Sequence, residues 1–241
     1  MKNRIQNIAH KFHNKTNGEE HEMILSGAIG ESGWFYDAIS AEDVRSALKD
    51  VTASTVRIKL NSGGGDADHG IEIYNYLKDL DKKVIVEVTS LAASAASIIA
   101  MGADEVIMRT GSRMMIHEAA TFAYGTKGDI QKTLNALETY DESLISIYQQ
   151  KTGLDREEIS NLVEAETWLT AEQAVEKGFA DRIEFETQPE NNGVTDEQIQ
   201  QIVAAVTNNL QQNMNVPNGP APAPAVSTVE GNKPARSRFI F

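Results

Sequence analysis

The stretch Ser90-Leu91-Ala92-Ala93-Ser94-Ala95-Ala96-Ser97, with Arg113-Met114-Met115-Ile116-His117 further along, decides how this chain is interpreted. Small residues around Ser94 let the backbone turn sharply, and the apolar run from Ala95 to Met101 predicts a buried helix that opens directly after the serine. A serine hydroxyl is a poor nucleophile at neutral pH and needs a neighbouring base. His117 can supply that base if the helix leads back into a strand, so the pattern predicts a nucleophile and its general base.

A glycine-rich loop follows a predicted strand upstream. Val56, Ile58 and Leu60 alternate as on a half-buried strand, and Asn61-Ser62-Gly63-Gly64-Gly65-Asp66 comes directly after them. Consecutive glycines can present bare backbone N–H groups to a ligand. A flexible turn or a phosphate cradle is the alternative, but no Gly-Lys-Ser/Thr follows, which argues against a P-loop.

Together these motifs resemble the Clp protease proteolytic subunit family, ClpP, over roughly residues 22 to 186. In that family a strand ends in Asn-Ser-Pro-Gly-Gly, the nucleophile lies in Gly-x-Ala-Ala-Ser, and the base closes a Met-Ile-His strand. The resemblance implies that Ser94 is the nucleophile, that His117 is the general base, and that the N–H groups of Gly65 and Ala95 form the oxyanion hole. It also implies an α/β fold of the ClpP/crotonase type, with repeated β-β-α and βαβ units and a long projecting helix.

The acid of the implied triad is where this chain departs most from the family pattern. Glu166, in Glu166-Thr167-Trp168-Leu169-Thr170, falls where the family has an aspartate. A glutamate can also orient a histidine and stabilise its cation. The alternative is that Glu166 is a solvated acidic residue, and Asp181 is then the second candidate. Gly63 and Ser90 also differ, since the family has proline and glycine at these positions.

Composition indicates a soluble globular domain with extensions. The 241 residues carry a net charge of −13, which disfavours nucleic acid as a partner. There is no cysteine, and His10-x-x-His13 lacks a third ligand type, so we expect neither a metal nor a cofactor. The chain has no run of 18 apolar residues and no signal-peptide core, so we expect no membrane contact and a cytoplasmic location.

The prolines suggest the domain organisation, because all six lie at or beyond Pro189. We therefore predict four segments: an N-terminal extension (1–21), a ClpP-like serine peptidase domain (22–188), an amphipathic helix (189–214) and a Pro-rich linker that ends in a hydrophobic peptide (215–241). The linker is expected to be mostly disordered. Within the peptidase domain, the apolar spacing from Gly128 to Thr152 predicts a long helix, which by resemblance projects from the globular head and contacts a second ring.

Shorter elements are also predicted. Met23 to Ile29 and Val84 to Val88 are expected to form strands, and a capping box in Ser40-x-x-Asp43 is expected to begin a helix.

The resemblance further implies a homo-oligomeric ring that cleaves protein or peptide substrates. The motifs and the ends are most similar to the head maturation (prohead) proteases of tailed bacteriophages, so we expect a serine endopeptidase that processes scaffold or capsid protein, inside an assembling phage capsid or the host cytoplasm. Three alternatives remain: a housekeeping Clp subunit that works with a ring ATPase, a crotonase-like acyl-CoA enzyme, and a catalytically inactive assembly protein. Residues 1–21 are polar and carry no apolar signature for docking an ATPase.

Overall fold

The structure is a computed structural model that describes residues 8–34, 36–184 and 200. The chain divides into two units between Glu186 and Thr187. All described residues except position 200 belong to the first unit. Apart from that position, the predicted helix over 189–214 and the tail over 215–241 lie outside the described residues.

Strands and helices alternate along the first unit. The strands are β1 (Lys11–Asn17), β2 (Glu20–Ser26), β3 (Ala28–Ile29), β4 (Ala38–Ile39), β5 (Thr55–Ser62), β6 (Lys83–Ala93), β7 (Glu105–Arg109), β8 (Arg113–Ile116), β9 (Thr167–Thr170) and β10 (Arg182–Glu184). The helices are α1 (Ala41–Leu48), α2 (Ala67–Lys78), α3 (Ala95–Met101), α4 (Lys127–Thr152), α5 (Arg156–Glu164) and α6 (Ala171–Glu176).

The main sheet has the strand order β1-β2-β5-β6-β7-β10, and its strands from β2 to β10 pair in parallel. This is the mixed α/β architecture that the alternation of strands and helices predicts. Val56, Ile58 and Leu60 point into the core and are fully buried. The residues between them, Arg57 and Lys59, point to the opposite face, where they form ion pairs with carboxylates of neighbouring strands.

Strand β6 is longer than the sequence predicts. The expected strand covered Val84 to Val88, whereas β6 continues through the small residues to Ala93. Its first half pairs with β7, and residues 91–93 pair with β8 instead. The change of partner keeps the backbone groups of β6 hydrogen-bonded up to the residue before Ser94.

The N-terminal region also differs from expectation. Residues 11–17, which the sequence analysis placed in an extension, form the edge strand β1 and pair antiparallel with β2. The strand expected from Met23 to Ile29 is interrupted at Gly27, which has a φ of 116°. A Cβ there would lie 3.0 Å from His10 Cα, so both the conformation and the contact favour glycine.

Helix α4 is the longest element, with 26 residues. It begins with the capping box of Thr126 and Asp129 and ends at Gly153 in the left-handed conformation. Its buried residues, Leu144, Ile145, Ile147 and Tyr148, all lie in the C-terminal half. The N-terminal half exposes Ile130 and Leu134, by 42% and 49%, so this half of the predicted long helix is not covered by the rest of the first unit.

Candidate active site

Ser94 occupies the sharp turn between β6 and α3. Its φ and ψ are 54° and −127°, a backbone conformation that residues other than glycine rarely adopt. Such strain persists only where the surroundings hold it, and here the Ser94 N–H donates to the Met115 carbonyl at 2.9 Å. The turn leaves the hydroxyl free of any helix-capping bond.

His117 reaches Ser94 because of the register between β6 and β8. Ala93 pairs in parallel with Met115, so the chains continue side by side to Ser94 and to His117. Nε2 of His117 lies 2.8 Å from Oγ of Ser94, within hydrogen-bond distance. The structure therefore brings the two predicted residues together across 23 residues of sequence.

The glycine loop passes directly beside Ser94. Ile29 forms a parallel bridge with Gly65, in which the Ile29 N–H donates to Gly64 and the Asp66 N–H donates to Ile29. This pattern turns the N–H of Gly65 away from Ile29. Gly65 has a φ of 151°, and a Cβ there would lie 2.1 Å from the Ile29 carbonyl oxygen, so only glycine fits.

Ala95 supplies the other amide expected at this site. It is the first residue of α3, and the first N–H groups of a helix have no partner within the helix. Gly65, Ser94 and Ala95 all line one pocket together with His117. Gly65 and Ala95, which carry these two amides, therefore lie at the same pocket as the serine–histidine pair.

Gly64 contributes to the site in a way that the sequence analysis missed. A Cβ on Gly64 would lie 2.6 Å from the Ala93 carbonyl oxygen, 2.7 Å from Ser94 Cβ and 2.9 Å from the Ala95 nitrogen. In the sequence, three adjacent glycines do not show which one contacts Ser94. That information comes from the shift in register between β5 and β6 after Leu60.

The pairing of β8 with β9 brings the backbone of Glu166 close to that of His117, but among the described residues the Glu166 carboxylate does not hydrogen-bond to the imidazole. Strand β9 pairs antiparallel with β8, and Thr167 lies opposite Ile116. Glu166 directly precedes Thr167 and His117 directly follows Ile116, so both residues lie at the same end of this strand pair. Its Oε1 accepts a hydrogen bond from the Trp168 indole at 3.3 Å. No hydrogen bond joins Glu166 to His117 in the described part of the chain.

Asp181, the second candidate for the acid, has a different role. One carboxylate oxygen accepts from the Val106 N–H at 2.7 Å and from Lys151 Nζ at 2.9 Å. Asp181 precedes β10 and bonds near the start of the parallel strand β7, whereas Ser94 and His117 follow the ends of their strands. Asp181 therefore links α4 to the start of β7, at the end of the parallel strands opposite to the one where Ser94 lies.

Ser97 is buried rather than presented to solvent. Its hydroxyl donates to the Ser94 carbonyl at 2.6 Å and lies 2.8 Å from the hydroxyl of Tyr148. Burial raises the pKa of Tyr148, so the phenol stays neutral and available for this bond. Ser97 thus packs α3 against α4.

The pocket beside Ser94 has a volume of about 560 Å³ and lies between the glycine loop and α4. Two carboxylates that the sequence analysis did not single out shape it. Asp141 accepts from the Ala119 N–H at 2.7 Å and fixes the segment after His117 against α4. Asp68 accepts from the Tyr140 hydroxyl and joins α2 to α4. No local sequence signal marks these pairs, because their partners lie 22 and 72 residues away.

Within residues 8–34 and 36–184, no group of three or more His, Cys, Asp or Glu side chains is placed to hold a metal ion. In the same part of the chain, no helix is long and apolar enough to cross a membrane.

Comparison with known proteins identifies the family of this chain. The family model described as Clp protease matches residues 41–187. The chain belongs to the Clp protease family. It is 32% identical over 128 residues to "ATP-dependent Clp protease proteolytic subunit 1" of Protochlamydia amoebophila, a match that covers 52% of this chain and 62% of that protein. It therefore spans less than two thirds of the length of that relative.

Other relatives match over more of their length. Proteolytic subunit 2 of Treponema denticola is 28% identical over 185 residues, which cover 70% of this chain and 89% of that protein. The structure of a ClpP1 mutant from Listeria monocytogenes superimposes with a TM-score of 0.56 at 25% identity, covering 61% of this chain and 85% of that one. The ClpP-like fold expected from the motifs is confirmed.

Proposed function

We propose that this Clp protease family member is a serine endopeptidase with Ser94 as nucleophile and His117 as general base. The observation that carries the proposal is the 2.8 Å contact between Ser94 Oγ and His117 Nε2, at a strained turn that faces a pocket. Gly65 and Ala95, whose backbone amides are the proposed oxyanion donors, line the same pocket. A nucleophile, a base and paired donors for a developing oxyanion are the groups that acyl transfer requires.

The proposed reaction follows from these positions. Ser94 Oγ attacks the carbonyl carbon of the scissile peptide while His117 Nε2 takes the hydroxyl proton, and the carbonyl oxygen becomes an oxyanion next to the Gly65 and Ala95 N–H groups. His117 then returns the proton to the leaving amine. Water attacks the acyl-enzyme with His117 again as base, which releases the acid product and restores Ser94.

Glu166 is the acid that we propose for orienting His117. Its backbone position, one residue before the segment of β9 that pairs with β8, supports this role. Asp181 is already bonded to Val106 and Lys151, which weighs against it. The alternative is a Ser94–His117 dyad.

The test is hydrolysis of small fluorogenic peptides by the full chain. We expect Ser94→Ala to abolish hydrolysis, whereas Ser97→Ala, a matched change one helical turn away, retains most of it because Ser97 is buried. Equal losses in both variants would contradict Ser94 as the nucleophile. Retained hydrolysis in Ser94→Ala would contradict the proposed function itself.

We also propose that the chain assembles into a homo-oligomeric ring. In the first unit, Phe122 and Tyr124 are 91% and 92% exposed, and Ile130 and Leu134, which follow within the next ten residues of the chain, are also exposed. A run of large exposed apolar side chains is typical of an interaction surface. Size-exclusion chromatography with light scattering tests this, and a monodisperse monomer at micromolar concentration would contradict it.

For the biological role, we propose cleavage of scaffold or capsid protein during phage head maturation. The Leu-Ala-Ala-Ser-Ala-Ala-Ser and Glu-Thr-Trp-Leu-Thr motifs and the C-terminal peptide support this role. Co-expression with candidate capsid proteins, with Ser94→Ala as control, tests it by the appearance of a shortened product.

A second candidate role is a proteolytic subunit fed by a ring ATPase, which the names of the bacterial relatives favour. ATP-dependent degradation of an unfolded protein by this chain with a Clp ATPase would support the second role over the first. The Ser94–His117 pair argues against a crotonase-like acyl-CoA enzyme, and absence of any hydrolysis would point to an inactive assembly protein.

A further inference from the structure

The pocket beside Ser94 has two apolar walls. Ile98 lies one helical turn after Ser94 on α3, and Leu137 and Leu144 line the pocket from α4. Ile98 and Leu144 are buried, so an apolar side chain that enters between them is removed from contact with water. The walls suit a long aliphatic stem.

The charged groups of this pocket all carry the same sign. Asp66, Asp68 and Glu118 line it, and no lysine or arginine is among the described residues that do so. Asp66 caps α2 and accepts from the N–H groups of Asp68 and His69, so its charge is engaged by the helix. Glu118 lies on the exposed segment after His117.

Asp68 is the carboxylate that the structure fixes in place. The Tyr140 hydroxyl donates to both of its oxygens, at 2.8 and 2.9 Å. Tyr140 lies between Leu137 and Leu144 in the same stripe of α4, so the Asp68 carboxylate lies beside the apolar wall. The same bond raises the pKa of Tyr140, which keeps the phenol protonated as the donor.

We propose that Asp68 makes this pocket selective for a lysine or arginine side chain on the residue whose carbonyl Ser94 attacks. The aliphatic stem packs against Ile98 and the α4 leucines, and the cationic end meets Asp68 at the exposed rim. This inference rests on the proposed peptidase function and names its substrate class.

The test compares two fluorogenic peptides that differ only at that residue, lysine in one and norleucine in the other. These side chains share the linear four-carbon stem and differ in the terminal charge. An ion pair at an exposed site contributes up to about 1 kcal/mol, so we expect kcat/KM for lysine to exceed that for norleucine roughly fivefold. We expect the ratio to fall as salt concentration rises.

Asp68→Asn keeps an oxygen that can accept from Tyr140 but removes the charge, so the lysine-to-norleucine ratio should fall to about one. Asp79→Asn is the matched control. Asp79 is exposed at the other end of α2, and its substitution changes the net charge by the same amount. It should leave the ratio unchanged.

The outcomes separate this inference from the function on which it rests. Ser94-dependent cleavage with no preference for lysine, or with a preference that Asp68→Asn leaves intact, overturns the assignment of Asp68 and leaves the peptidase function standing. A loss of the preference in both Asp68→Asn and Asp79→Asn also overturns it, since net charge alone would then be responsible. Cleavage of neither peptide contradicts the proposed function.

Discussion

Gly64 is in direct contact with Ser94: a Cβ on the glycine would lie 2.7 Å from the Cβ of the serine. The same Cβ would lie 2.9 Å from the Ala95 nitrogen, one of the two amides proposed for the oxyanion hole. Gly64 has a φ of 90°, so both its conformation and its surroundings exclude a side chain. The spacing between Ser94 and the Ala95 amide therefore depends on this glycine.

Gly64→Ala should displace the loop from Ser94 and lower kcat by about 100-fold or more, since the loss of one oxyanion donor has an effect of this size. Steady-state kinetics on a small peptide measure the loss. Gly111→Ala is the control, because Gly111 also has a positive φ, of 77°, but a Cβ there meets nothing within 4 Å. The control should lower stability by about 1 kcal/mol and leave kcat unchanged. Similar kcat values in both variants would contradict the role of Gly64.

Removal of the charge from Glu166 tests the acid. If Glu166 orients His117, Glu166→Gln should lower kcat by about 100- to 10,000-fold without changing the oligomeric state, because the imidazolium loses its counter-charge. Glu164→Gln, a change of an exposed neighbour, serves as control. Turnover near that of the wild type in Glu166→Gln would remove Glu166 from the site and favour the Ser94–His117 dyad.

Ser94 and His117 should act as one unit. We expect His117→Ala to reduce hydrolysis as severely as Ser94→Ala, and the double variant to differ from either single variant by less than about threefold in kcat. Additive losses in this double-mutant cycle would show that the two residues act independently, which the 2.8 Å contact does not predict.

His21 should make the stability of the fold sensitive to mild acid. It is buried, its Nε2 has no hydrogen-bond partner, and burial, followed by the charge of Lys82, lowers its pKa. The folded protein therefore keeps His21 neutral, while the unfolded chain takes up a proton near pH 6.5. As pH falls through that value towards the lower folded pKa, the unfolded chain binds more protons and the free energy of unfolding decreases.

Urea unfolding between pH 7.5 and 5.5 measures this effect. We expect His21→Asn to show a shallower loss of unfolding free energy with falling pH than the wild type, whatever its stability at pH 7.5. His13→Asn removes an exposed histidine of the neighbouring strand and should keep the wild-type slope. Equal slopes in all three proteins would exclude His21 as the cause.

Local patterns predicted the parts of this molecule that depend on local chemistry. The alternation of Val56, Ile58 and Leu60, the capping box at Ser40 and the long helix that ends at Thr152 all occur in the structure. The extent of β6 was not predictable, because its last residues find their backbone partners in β8, about 20 residues away. Pairing with a distant strand decides whether a small apolar run is a strand or a helix.

The candidate site also contains residues that the sequence predicts and residues that only the packing reveals. Motif spacing singled out Ser94 and His117, and the two side chains lie in contact because each residue follows the end of one of two paired strands. The choice of Gly64 as the glycine in contact with the serine, and of Asp68 as the fixed carboxylate of the pocket, required the packing of β5 against β6 and of α2 against α4. Such contacts between distant segments leave no periodic signal in a single sequence.

Covalent labelling of the native full chain by a serine-directed phosphonate, with the modified residue located by mass spectrometry, tests the central claim most directly. We predict a single label on Ser94, loss of peptide hydrolysis in proportion to labelling, and much slower labelling of His117→Ala, because the base that activates the hydroxyl is absent. A label on Ser97 or on another serine, or hydrolysis that continues after Ser94 is fully modified, would contradict the assignment of Ser94 as the nucleophile.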